Sequence, residues 1–192
     1  TAGIVFTVSV ADVEIAHIHF DDIIAGQNIS VTNAADRLYV HDCSFLMDTA
    51  DDTATMGIQF TLGTGTTTNN DDPVVRNCYF RTTSNAGPAI RAAGTVLGLV
   101  IENCTFEGGS ATAWDDCIES ITAGSEGLFI RDCDFTQRTG TDIVDCIDVT
   151  GMTTDHSVKV YRCYFPEGAD AIEASGTPDV TCCENYLSTQ TG

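Results

Sequence analysis

Asp115 and Asp116 stand side by side ahead of Cys117 and Ile118, and neighbouring carboxylates can divide acid and base roles around a glycosidic bond. The pattern does not end there. Asp116, Asp145 and Asp170 each fall two places before a strand isoleucine, and Glu119, Asp148 and Glu173 one place after it. If those strands stack in register, the six side chains form two acidic ladders with neighbours about 4.8 Å apart. That spacing is near the roughly 5–5.5 Å between the carboxyls of retaining glycosidases, so distance alone permits catalysis. Three copies of one position, however, are what duplication of a repeat produces, whereas an active site is needed once. Stacked like charges raise one another's pKa or attract a cation, and hard oxygen ligands suit Ca2+. Arg91 occupies the Glu119 position one repeat earlier, where a cross-strand salt bridge to Glu119 is expected.

Other reactive side chains carry less. His17, His19, His41 and His156 do not align with the acidic ladders and are expected at the surface or at bends. Nine cysteines cannot pair completely within one chain, and no CxxC or Cys/His cluster at zinc spacing is present. Cys117 and Cys146 align in consecutive repeats and are the pair most able to bridge, while Cys183 should point outward as the most reactive thiol. Asn28-Ile29-Ser30 and Asn103-Cys104-Thr105 match a glycosylation acceptor by accident of strand and bend sequence. Two segments have the character of contact loops: the Thr/Asn/Gly-rich stretch 61–72, and 107–116 with the single tryptophan, Trp114, as a side chain for stacking on sugars or for covering the core.

Composition sets limits on partners. With 8 Lys+Arg against 28 Asp+Glu the formal charge is −20, which repels phosphate backbones and anionic headgroups; neither nucleic acid nor a membrane surface is an expected partner. No apolar run approaches the roughly 18 residues of a membrane span, and the first residues do not have the charged-then-apolar pattern expected of a signal segment. The chain begins at Thr1, as expected of a processed protein or of one with more chain before it. At 192 residues a single domain, 1–192, is expected.

What positions these groups is a repeat. One eight-residue phrase occurs seven times: VEIAHIHF (13–20), LYVHDCSF (38–45), PVVRNCYF (73–80), LVIENCTF (99–106), LFIRDCDF (128–135), VKVYRCYF (158–165) and VTCCENYL (180–187). Its last residues, Phe20, Phe45, Phe80, Phe106, Phe135, Phe165 and Leu187, are separated by 25, 35, 26, 29, 30 and 22 residues. Variable loops between constant strands produce that irregularity. Between the phrases lies a second short element: GIVF (3–6), NISV (28–31), GIQF (57–60), AIRA (89–92), CIES (117–120), CIDV (146–149) and AIEA (171–174). Within the phrase the apolar alternation is broken before the cysteine position, and four copies place Asp42, Asn77, Asn103 or Asp132 there. These residue types tolerate positive φ, so a corner between two strands is expected. The stacked copies then bury a phenylalanine ladder and a ladder of Cys43, Cys78, Cys104, Cys133 and Cys163 as small apolar core residues.

The phrase resembles the coil repeat of right-handed parallel β-helix proteins, the pectate-lyase-like superfamily, over about residues 3–187. The resemblance implies an all-β, single-stranded right-handed parallel β-helix solenoid of about seven coils, about 34 Å long at about 4.8 Å per coil. Its open sheet end must be covered by another domain, an N-terminal segment or a neighbouring subunit. Asp115-Asp116-Cys117-Ile118 also looks like the Asp-Asp-Cys-Ile stretch of β-helix polygalacturonases. That family completes its site with a third carboxylate, a Gly-His-Gly segment and an Arg-x-Lys pair, none of which is present as such; Asp145-Cys146-Ile147-Asp148 stands where a histidine would be wanted. No catalytic, cofactor-binding or metal-ligating residue is therefore assigned, and no cofactor is implied, Ca2+ being the one ion the ladders would suit. Because the fold serves many functions, the expectation is a non-enzymatic virion structural protein on a virion surface or outside the cell. A phage capsid-decorating, fibre or spike component is meant, a homo-oligomer with a trimer favoured, in contact with other virion proteins and a glycan. The alternatives are a secreted polysaccharide lyase or glycoside hydrolase using Asp115 and Asp116, and a calcium-dependent adhesin.

Overall fold

The computed structural model describes residues 3–21, 26–32, 35–47, 56–61, 70–82, 87–108, 114–120, 125–137, 143–152, 157–167, 169–174 and 178–187. Among them there is no helix, so none is long and apolar enough to cross a membrane. The protein is all-β and its strands pair in parallel. The second short element builds the first sheet from Gly3–Val8, Gly26–Val31, Met56–Phe60, Ile90–Ala92, Trp114–Ser120 and Ile143–Asp148, in that spatial order. The front half of each phrase builds the second sheet: Glu14–Ala16, Tyr39–His41, Val74–Arg76, Val100–Glu102, Leu128–Arg131, Ser157–Tyr161 and Asp179–Cys183. The back half builds the third: His19–Phe20, Ser44–Met47, Tyr79–Thr82, Thr105–Gly108, Asp134–Gln137, Tyr164–Phe165 and Tyr186–Leu187. A further pair, Asn70–Asp71 with Val96–Leu97, lies outside both motifs and was not expected.

The corner is present in every copy of the phrase. His17, Asp42, Asn77, Asn103, Asp132, Arg162 and Glu184 have φ between 49° and 58°. One left-handed residue turns the chain and resets the two-residue alternation, so strands on both sides of it send apolar side chains inward. Four of these residues are Asp or Asn; Arg162 and Glu184 adopt the same conformation without that preference, and Arg162 is held by its N–H to Cys183 O at 3.1 Å, the bond the earlier corners also make.

Inward side chains from all three sheets form one core. Phe20, Phe45, Phe80, Phe106, Phe135 and Phe165 stack with their ring planes nearly parallel, centroids 4.6–5.1 Å apart and interplanar angles of 5–10°. Burying each ring stabilises the fold by about 1.5–3 kcal/mol. Beside them the five ladder cysteines are buried, and each thiol donates to the carbonyl two residues earlier at 3.2–3.4 Å. Gly57 is required by closeness: a Cβ there would lie 2.6 Å from the Ala89 carbonyl oxygen and 3.0 Å from the Phe80 ring. One register differs from expectation. GIVF does lie in the first strand, but Phe6, not Ile4, pairs with Ile29. A two-residue shift keeps the same face inward, and it brings the larger ring against Phe20 at 5.9 Å.

Candidate functional site

The acidic ladders form as the repeat alignment requires. Asp116 pairs with Asp145 and Glu119 with Asp148 across Trp114–Ser120 and Ile143–Asp148. Residues 170–173 bridge onto the same sheet, setting Asp170 beside Asp145 and Glu173 beside Asp148. Backbone bonds hold them there: Asp170 N–H to Val144 O at 2.8 Å and Glu173 N–H to Ile147 O at 2.9 Å. Arg91 pairs in register with Glu119, and its Nε lies 2.9 Å from Oε2. The expected salt bridge is thus present.

Asp145 lies in the middle of its row, between Asp116 and Asp170. It is 8% exposed. Burial, followed by the charges of Glu173, Asp170 and Asp148 and a hydrogen bond with Glu173, raises its pKa to about 6. A group poised there can hold a proton near neutrality, but its burial keeps it from a substrate. Asp116, Glu119 and Asp148 are half-buried, with ligand oxygens all within 4.8 Å of one another, so these three would supply any hard-cation site. The Arg91 guanidinium already neutralises one of them. The side chain of Asp115 is outside the described residues.

Elsewhere the charges follow the same cross-repeat rule. Each described arginine lies beside an acid of an adjacent repeat: Arg37 with Asp12, Arg76 and Arg131 with Glu102, Arg81 with Glu107, Arg91 with Glu119, and Arg162 with Asp132. The excess negative charge is what these pairs leave over.

His41 lies on the second sheet, His19 on the third and His17 at the corner between them, all away from the ladders, and His156 is outside the described residues. His41 hydrogen-bonds Glu14 at 2.8 Å and Asp42 at 2.6 Å, and these contacts hold its pKa above the ordinary value. His19 and Ser44, at paired positions, share a short hydrogen bond on an exposed face. None of these contacts was foreseen, although aligning the phrases puts His41 one repeat from Glu14 and His19 one repeat from Ser44, which is the signal that finds those two.

Trp114 is not a surface platform: it is 1% exposed inside its strand, and its indole N–H donates to Gly87 O at 3.1 Å. Of the Thr/Asn/Gly stretch 61–72, residues 62–69 lie outside the described residues, and its end instead enters a strand pair. Asn28 is fully buried, in keeping with the reading of its glycosylation match as accidental. All nine cysteines are free, Cys117 and Cys146 included; Cys182 and Cys183 are exposed and the others buried. Burial pushes the Cys117 and Cys104 thiols up, which keeps them protonated. Compared with known proteins, no family model, curated protein or solved structure matches the chain.

Proposed function

We propose that the chain is a right-handed parallel β-helix of about seven coils acting as a non-enzymatic structural module, a decoration, fibre or spike component of a virion surface. Parallel strands joined by crossovers are right-handed in nearly all proteins, which supports the handedness. The observation that carries the non-enzymatic reading is the ladder itself. Asp116 has Asp145 as its in-register neighbour, Asp145 is buried, and Glu119 is engaged by Arg91. These carboxylates repeat because the scaffold repeats, and their environment spends them on the fold.

The virion assignment rests on the resemblance of the coil phrase, together with the stiffness of a laddered core and the −20 charge. It is tested by purifying native particles and quantifying this chain against the capsid or tail protein: a fixed stoichiometry is expected, and its absence from particles overturns the assignment. Turnover of acidic or neutral polysaccharides that disappears in Asp116→Ala would replace the structural reading with the hydrolase or lyase one. A melting temperature that rises with Ca2+ and falls with chelator, with both effects lost in Asp148→Asn, would replace it with the calcium-dependent adhesin.

A further inference from the structure

The central repeats each give one strand to the first sheet and the next to the second: Ile90–Ala92 leads to Val100–Glu102, Trp114–Ser120 to Leu128–Arg131, and Ile143–Asp148 to Ser157–Tyr161. The outward faces of these two sheets can therefore be compared repeat by repeat, and they differ in charge. Arg91, Glu119, Asp148 and Glu173 follow one another along the first sheet, with Asp116, Asp145 and Asp170 beside them. Over residues 74–77, 100–103, 128–132 and 157–162 the second sheet and its corners instead carry Arg76, Arg131, Lys159 and Arg162 against Glu102 and Asp132. In a chain of net charge −20 with 8 Lys+Arg, half of all the cations stand on this one face.

The same face is partly apolar. Val74, Val100 and Phe129 pair in register and alternate with buried Val75, Ile101 and Ile130, so their half-buried side chains point outward. The Arg131 guanidinium lies 5.5 Å from the Phe129 ring centroid, and the Tyr161 ring lies 5.5 Å away. The first sheet exposes Val144, at 44%, next to Asp145. Each of these positions has a paired segment on either side in its sheet, so its exposure is lateral.

We infer that a second copy of this chain packs side by side with the first, its second-sheet face against the first-sheet face of its neighbour. A contact between different faces of identical chains closes into a ring about a common axis, and with that axis along the stack each repeat meets the same repeat of the neighbour. Arg91 then faces Glu102, Glu119 faces Arg131, and Asp148 faces Lys159 and Arg162, which flank Tyr161. The change of sign between Arg91 and Glu119 on one face thus meets the opposite change between Glu102 and Arg131 on the other. Arg91 and Glu119 are already a pair within the chain, as are Arg131 and Glu102, so the joint sets two ion pairs head to tail in a four-charge network. One repeat opposes it, because Asp170 and Glu173 share theirs with Asp179 and Glu184. The inference supplies faces for the homo-oligomer expected from the sequence and does not depend on the chain belonging to a virion.

Sedimentation velocity of the isolated chain at rising concentration is expected to show one discrete oligomer forming from monomer. Lys159 is exposed and Asp148 half-buried, and circular dichroism checks that each variant keeps its strand signal. Lys159→Glu and Asp148→Lys are each expected to weaken association by about tenfold or more, since each sets like charges opposite one another. The double variant, in which the two charges are exchanged, is expected to associate as the wild type does. Asp148→Lys also makes the chain less negative, so a joint governed by overall repulsion would tighten with it; that result overturns the proposal. So does a wild-type chain that stays monomeric at every concentration, or a double variant that does not recover. Single variants that associate like the wild type overturn it as well, because they place the joint elsewhere on the molecule.

Discussion

Arg91 Nε lies 2.9 Å from Glu119 Oε2 across paired strand positions, so a fixed cation heads a row that continues through Asp148 and Glu173. Both side chains are largely buried, 27% and 13% exposed, and removing the cation leaves its partner beside another carboxylate. Arg91→Gln should therefore cost about 1–2 kcal/mol, between the values for exposed and buried pairs. The urea midpoint at low salt measures it. Glu119→Gln should cost less, since it also relieves Asp148.

The pH dependence follows from two groups with the same sign. A carboxyl raised to about 6 binds its proton more tightly in the folded state, so Asp145 adds stability as pH falls through 6 towards its ordinary 3.8. His41 is raised above its ordinary 6.5 by its hydrogen bonds to Glu14 and Asp42, so its contribution is full below 6.5 and fades as pH rises past the higher folded value. Asp12, Asp42 and Asp132 are lowered by their hydrogen bonds to Arg37, His41 and Arg162, and that stability is lost on further acidification. Denaturation midpoints are therefore expected to rise from pH 8 to about pH 5 and to fall below about pH 4. Asp145→Asn should be more stable than wild type at pH 7 and show a flatter slope; a loss of stability at pH 7 would contradict the burial argument.

Asn103 holds φ at 52°, and its amide donates to Asn77 Oδ1 at 2.7 Å. Asn103→Ala should cost about 1–2 kcal/mol from left-handed strain. Asn103→Gly, which removes the same hydrogen bond without the strain, should cost less. The difference in melting temperature between the two variants isolates the corner.

Thiol accessibility divides the cysteines two to seven. With Cys182 and Cys183 exposed and the rest buried, an aromatic disulfide reagent should titrate two thiols in the native protein and all nine after denaturation. Rapid native reaction of more than two would mean that the cysteine ladder opens.

Much of this architecture is legible in the chain because a parallel stack repeats its environment. The phrase ending in Phe20, Phe45 or Phe106 reports a strand, a corner and a strand at once, since inward positions in successive repeats face the same neighbours. The Asp116, Asp145 and Asp170 row could be aligned from three isoleucines for the same reason. Where the environment was not repeated, alignment failed. Trp114 pairs with buried Ile143, each four residues before its strand isoleucine, a match shared by only these two strands and beyond the reach of the short motif. Phe6 took the Ile29 position because a shift of two residues is silent in an alternating pattern and only packing against Phe20 separates the choices.

The sequence by itself determined the two strand motifs, the corner, the identity of both core ladders and the cross-repeat pairing of Arg91 with Glu119, because each is a local preference multiplied by register. Only the tertiary structure decided which carboxylate is raised by its buried, like-charged surroundings, that Trp114 lies inside the core, and which apolar positions are exposed in the first and last strands. Those depend on how many neighbours a position has on each side, and a repeat gives the same letters to a position in the middle of a stack and to one at its edge.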